Sequence, residues 1–192
     1  MEISKIKELL KNDIDEERYN HTLRVVGTAI KLAKRYNIDE NKAELAALLH
    51  DSAKYKEKEV LLNKAEEFGI ILDVVTKNNY HLIHPYLGAK IAKYKYNIVD
   101  EDILNAIKYH TTGRKDMTML EKIIFIADFI EPKRNFEGIE EIRNLAFENI
   151  DKAIILSMNN TLKYIIDKGW LIHPNTIETR NSLILLELEG KI

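Results

Sequence analysis

The sequence contains no cysteine. Disulfides, thiolate metal sites and a cysteine nucleophile are therefore excluded, and any bound metal must rest on His, Asp and Glu. Glycine and proline are scarce, at 7 and 3 residues. The chain thus has few obligatory breaks, and strand-like alternation is hard to find. No run of about 18 apolar residues is present to span a membrane. The opening stretch "MEISKIKELLKND" has neither the uninterrupted apolar core nor the small-residue cleavage site of a secretory signal. These absences predict a cytoplasmic protein with no membrane partner. The net charge of −2 leaves no large basic footprint, so no extended nucleic-acid surface is expected, although a local basic pocket is compatible with it.

Helix formers dominate what remains. The 192 residues are 45% hydrophobic and 31% charged, enough for one domain of ordinary size with a real core. In "DEERYNHTLRVVGTAIKLAKRYN", Tyr19, Leu23, Val26, Ile30 and Ala33 recur at spacings of three and four, one helical stripe. Its N-cap falls within Asp13 to Asp15, with Glu16 and Glu17 in the first turn. Further helices are predicted at about 40–51, 57–68, 84–95, 100–109, 118–130, 139–148, 150–167 and 176–189. With no repeat, linker or composition shift, the expectation is an all-α fold, a single helical bundle over residues 1–192.

The stretch "ELAALLHDSAKYKEK" raises the functional question. A core-bound helix ends on His50-Asp51, followed by Lys54. Taken alone, this fits an exposed helix end. Repetition changes the reading. His21 lies inside the amphipathic helix, His84 opens "HPYLGAKIAKYK", and His110 ends "DILNAIKYH". Asp128 sits in "LEKIIFIADFIEPKR", flanked by Ile126, Ala127, Phe129 and Ile130. An unpaired carboxylate there would cost several kcal/mol, so it demands a cation, an arginine or a metal. Helix bundles build metal centres from such side chains on separate helices. Nitrogen and oxygen donors suit Fe, Mn, Zn or Co. Six protein ligands exceed what one open catalytic metal needs and fit two metals, a recurring device for phosphate-ester hydrolysis.

His21, His50-Asp51 and Asp128 resemble the H…HD…D pattern of the HD-domain metal-dependent phosphohydrolases. His84 and His110 match members with a second metal. The rival for the His84 role is His81, and the H-x-x-x-G-A spacing from His84 to Ala89 favours His84. The blocks "RYNHTLRV", "AALLHDSAK", "HPYLGA", "YHTTGRKDMTMLEKIIFIADFIEPKR", "EIRNLA" and "TIETRN" are similar to the bacterial YqeK-type proteins. That resemblance runs from about Arg18 to Asn181, and Ser52 departs from it, where relatives often carry a larger residue. It implies an HD-type helical domain and symmetrical hydrolysis of diadenosine tetraphosphate to two ADP at a dinuclear centre, with iron the first choice of metal. In that scheme Asp51 bridges the two metals, and a metal-bridging hydroxide attacks phosphorus.

Several residues could hold such a substrate. Lys54, three residues after Asp51, matches the HD-x-x-K arrangement and could neutralise a phosphate, or be a solvated lysine. In "HTTGRK", Thr111, Thr112 and the backbone of Gly113 offer donors, and the fork of Arg114 could grip a phosphate oxygen. The bland alternative is a helix-ending turn. Arg134 could bind polyphosphate or pair with Glu131, and Arg180 is a candidate of the same kind. His173 is read as structural. The implied partner is a dinucleoside polyphosphate or another nucleotide, and a homodimer is compatible with the sequence. Two further functions fit the same residues: another HD phosphohydrolase, cleaving nucleoside monophosphates, triphosphates or a cyclic nucleotide, and a metal-containing nucleotide-binding or assembly module.

Overall fold

The computed structural model describes residues 1–192. It contains eleven α-helices, one 3-10 turn and no strand. The helices are α1 (Ile3–Asp13), α2 (Glu16–Arg35), α3 (Glu40–Leu49), α4 (Lys58–Glu67), α5 (Val74–Asn78), α6 (Ile83–Tyr94), α7 (Glu101–Tyr109), α8 (Met119–Ile130), α9 (Ile139–Glu148), α10 (Ile150–Asp167) and α11 (Pro174–Leu188). The 3-10 turn, Tyr80–Leu82, leads into α6. The helix starts follow their side chains. Asp15, Asp39, Asp73, Asp100, Asn149 and His173 each accept a backbone N–H of the helix they open. Thr118 and Glu121 form a reciprocal capping box at α8.

The apolar helix α8 is the spine. Ile123, Ile124, Ile126 and Ala127 are fully buried, and the helix packs against α2, α3, α7, α9 and α10. One continuous apolar cluster runs from Ile6 to Leu183. The buried face of α2 is rotated from the predicted stripe. It runs through His21, Thr22, Val25, Val26, Ala29, Leu32 and Ala33, while Leu23 is 39% exposed. Thr22 and Ala29 are fully buried on this face, where α2 packs on α3 and α8, and the rotation turns His21 inward. Two helices were not anticipated. Helix α1 contributes only Ile6 and Leu10 to the core, and the five residues of α5 are too few to display a period.

Candidate metal centre

Five elements meet at one end of the spine. Helix α2 supplies His21, and the chain leaving α3 supplies His50 and Asp51. The first turn of α6 supplies His84, the residue closing α7 supplies His110, and α8 supplies Asp128. His21 Nε2 lies 3.1 Å from Asp128 Oδ1 and 3.8 Å from Asp51 Oδ2. His50 Nε2 lies 3.5 Å from Asp51 Oδ2 and 4.0 Å from Asp128 Oδ1. The other oxygen of Asp51 faces the remaining pair, 3.0 Å from His84 Nε2 and 3.6 Å from His110 Nε2. Asp51 therefore stands between two sets of donors. His81 lies outside the cluster, on the 3-10 turn against Tyr80.

The imidazoles are oriented by their own helices. His50 Nδ1 donates to the Ala47 carbonyl at 2.6 Å, His84 Nδ1 to His81 at 2.5 Å, and His110 Nδ1 to Ile107 at 2.7 Å. Each carbonyl is three residues back; for His50 and His110 it lies in the last turn of α3 and α7, whose carbonyls are free, and for His84 it lies on the 3-10 turn that leads into α6. His21 Nδ1 faces Glu131 Oε1 at 3.5 Å. Outward Nδ1–H bonds present the Nε2 lone pairs to the cluster, as metal-ligating histidines require. Two such lone pairs, on His84 and His110, are 3.1 Å apart. With both Nδ1 atoms donating outward, acceptor faces acceptor at that distance, and the Lys54 ammonium, 3.1 Å from His84 Nε2, is the cation beside them.

Electrostatics agrees. Nε2 of His21 and His50 and Oδ1 of Asp51 are buried with no hydrogen-bond partner, an arrangement native interiors rarely leave unexplained. Burial pushes the Asp51 carboxyl up, yet the neighbouring His50 and Lys54 charges and the His110 ring hold it well below the usual range. Burial likewise opposes ionisation of Asp128, and the adjacent His21 ring and the His50 charge outweigh it. Burial, then Lys54, push His84 down to about 3, so its ring is neutral at pH 7. Burial also works against a charge on His50, but Asp51 and Asp128 raise it. Ionised carboxylates and a neutral imidazole suit a divalent cation.

The surroundings revise several sequence expectations. Asp128 is not enclosed by apolar groups on almost every side; its side chain is 22% exposed and meets His21 and Arg134, two residues that line a cavity beside the cluster. That cavity, about 480 Å³, has no hydrophobic lining residue. Arg18, Arg24, Lys54, Lys56, Lys133 and Arg134 face Asp15, Glu17 and Glu131 across it, six cations against three carboxylates. The local charge is thus opposite to that of the whole chain. Lys54 sits at its border, 3.1 Å from His84 Nε2 and 3.6 Å from Asp51 Oδ1. Arg134 pairs with Asp128 at 3.4 Å, not with the Glu131 side chain. Glu131 is taken by Arg24 at 2.7 Å.

The "HTTGR" turn goes elsewhere. Thr112 is buried and donates to the Gly113 carbonyl. Gly113 has φ +66°, and a Cβ there would lie 2.7 Å from Thr179 Oγ1. Arg114 Nε donates to buried Glu121 at 2.9 Å, with the guanidinium over the Tyr109 ring. Arg180 Nε donates to Asn159 Oδ1 at 2.5 Å. None of Thr111, Thr112, Gly113, Arg114 or Arg180 lines the basic cavity. Sequence reasoning missed Arg18, whose Nη1 reaches Asp51 Oδ2 at 2.7 Å, along with Arg24, Lys56 and Lys133. The available signal for Arg18 was its position three residues before His21, one turn away on α2.

Residues 18–133 match the family model for the HD domain. A Halalkalibacterium halodurans protein named symmetrical bis(5'-nucleosyl)-tetraphosphatase is 43% identical, over 96% of this chain and 98% of its own length. A Bacillus subtilis protein of the same name is 41% identical, over 91% and 94%. A crystal structure from Clostridium acetobutylicum, described as a predicted HD superfamily hydrolase involved in NAD metabolism, superposes with TM-score 0.92 at 46% identity, covering 96% of this chain and 98% of that one. With its histidines and aspartates gathered from five elements in this way, the chain belongs to the HD-domain family.

Proposed function

We propose that the protein is a metal-dependent hydrolase that cuts diadenosine tetraphosphate, and related dinucleoside polyphosphates, symmetrically into two ADP. The observation that carries the reading is a cluster of mutually facing acceptor atoms beneath a cavity of excess positive charge. The relatives' names supply the substrate. His21, His50, Asp51 and Asp128 would hold one metal, and Asp51, His84 and His110 a second. Two groups with ligand atoms within 4.8 Å of one another, His21 with His50 and Asp51, and Asp51 with His84 and His110, support this division, and a third, His50 with His110 and Asp128, joins the two sets. Iron is the proposed metal, although Mn, Co and Zn accept the same donors. When bound, the metals offset phosphate charge and lower the pKa of water at the centre. Arg18, Lys54 and Arg134 bring the polyphosphate in, and Lys54, which faces both His84 and Asp51, stabilises charge on the phosphoryl oxygens. Glu131 holds the His21 ring. No protein nucleophile is needed.

The whole of residues 1–192 acts as one unit in this reading, because α9, α10 and α11 extend the packing of α8. No helix is long and apolar enough to cross a membrane, and we place the enzyme in the cytoplasm. The test is product analysis. Metal-replete protein incubated with diadenosine tetraphosphate should give ADP alone, and a chelator should abolish the reaction. AMP with ATP, or cleavage only of mononucleotides, would replace this reading with that of another HD phosphohydrolase.

A further inference from the structure

The polyphosphate of a dinucleoside substrate accounts for the basic cavity, but not for where a base rests. His81 lines a cavity beside Lys54 and His84, and the same residue lines another of about 330 Å³. This second cavity lies between the connector entering α6 and the turn joining α10 to α11. Its walls include Asn78, Asn79, Tyr80, His81, Trp170 and Leu171. Trp170 is 54% exposed, an unusual surface position for the only tryptophan of the chain. The Tyr80 and His81 rings lie 4.0 Å apart. Asn78 gives one amide hydrogen to the Val74 carbonyl, which leaves its oxygen free to accept. Aromatic faces and amides recognise a heterocycle with donor and acceptor edges, and a phosphate has no use for them.

The walls are pinned. His173 caps α11 through the Asn175 amide at 3.1 Å, and its other ring nitrogen meets Asp73 at 3.3 Å. Asp73 caps α5, so the two loops that form the cavity are tied by their neighbouring helix caps. The volume is at the low end of small-molecule sites, roughly 300–1,000 Å³, room for one nucleoside and not a whole dinucleotide.

We propose that this cavity binds one purine base of the dinucleoside substrate, with the phosphate chain passing His81 to Lys54 and the metal cluster. The proposal rests on the hydrolase reading above. Because Trp170 is the only tryptophan, its fluorescence reports on the cavity directly. ADP should quench it saturably, and inorganic pyrophosphate at the same concentration should not. Trp170→Ala should raise KM for diadenosine tetraphosphate about five- to a hundred-fold, the loss of one base stack. Its inhibition by inorganic pyrophosphate should stay within about two-fold. Tyr80→Ala should shift KM in the same direction, and melting curves check that both variants fold. If wild type yields two ADP while ADP leaves the fluorescence unchanged and neither variant alters KM, the base lies elsewhere and the inference is overturned. If wild type does not cleave the tetraphosphate, the hydrolase reading fails instead. The fluorescence titration still decides the cavity, quenching by ADP supporting it and a flat response refuting it.

Discussion

His110 and Arg114 are four residues apart, yet they belong to different chemistries. His110 turns its Nδ1 to its own helix and leaves Nε2 facing Asp51 and His84. Arg114 turns away and is satisfied by Glu121 and the face of Tyr109. Both sit in the same polar block, and both look functional in the sequence. What separates them is the partner: His110 Nε2 meets only other members of the cluster, whereas the Arg114 donor meets the Glu121 carboxylate. The cluster also holds buried polar atoms with no partner, on His21, His50 and Asp51, a pattern that calls for something else to bind. The turn spends its polar atoms on holding α7, α8 and α11 together.

The sharpest break of that comparison is at Asp51. Asp51→Asn keeps the size but removes the charge that faces both donor sets. Activity should fall on the order of 10²–10³-fold or more, with at least one metal lost by elemental analysis and the helical circular dichroism kept. Wild-type turnover in a metal-loaded Asp51→Asn protein would place the cluster among structural networks. Gly113→Ala tests the other side. It forces a Cβ into a left-handed conformation against Thr179. The cost should be about 2–3 kcal/mol, read as a melting point lower by roughly 5–10 °C. The folded fraction should keep its metals and its KM.

A smaller effect probes the border between the two regions. Glu131 is buried and makes no direct contact with substrate in this reading, but it faces His21 Nδ1 and holds Arg24. Glu131→Gln should weaken metal binding by about 10- to 100-fold, measured by competition with a chelator. Activity at saturating metal should recover. A variant with unchanged metal affinity would show that α2 alone fixes the His21 ring.

How much of this the sequence disclosed follows from the same distinction. The long helices were legible because their apolar spacing repeats over several turns, and the six cluster residues because their types are costly inside a bundle. The five-residue α5 was not, having too little chain to show a period. Nor was α1, which places only two side chains in the core. The mouth cations escaped for another reason. Arg18, Arg24, Lys56 and Lys133 read as ordinary solvated positions, and only the folding of α2 against the segments after α3 and α8 brings them to one cavity. In the sequence Glu131 reads only as one of two alternatives for Arg134, the other being polyphosphate. The structure gives it to Arg24 and His21, because the chain turns after Ile130 and sends the Arg134 side chain back to Asp128.

Arg114→Lys gives the smallest expected change and the finest test of the comparison. The sequence position, just past His110, predicts a phosphate grip that a lysine could not reproduce, with a fall in kcat or a rise in KM. The structure predicts otherwise. Glu121 is buried and already receives the Thr118 amide as well as Arg114 Nε, so Arg114 braces a capping box that Thr118 and Glu121 form by themselves. A lysine keeps the charge but loses the directed Nε–H and the planar stack on Tyr109. The cost of that exchange, at a partly exposed ion pair, is roughly 0.5–1 kcal/mol, a melting point lower by about 1–4 °C. Both metals should remain, and kcat and KM for diadenosine tetraphosphate should stay within about two-fold. A fall in kcat with the melting point unchanged would mean that Arg114 leaves Glu121 when substrate arrives. The turn would then belong to the site, and a satisfied hydrogen bond in the free protein would no longer separate the two regions.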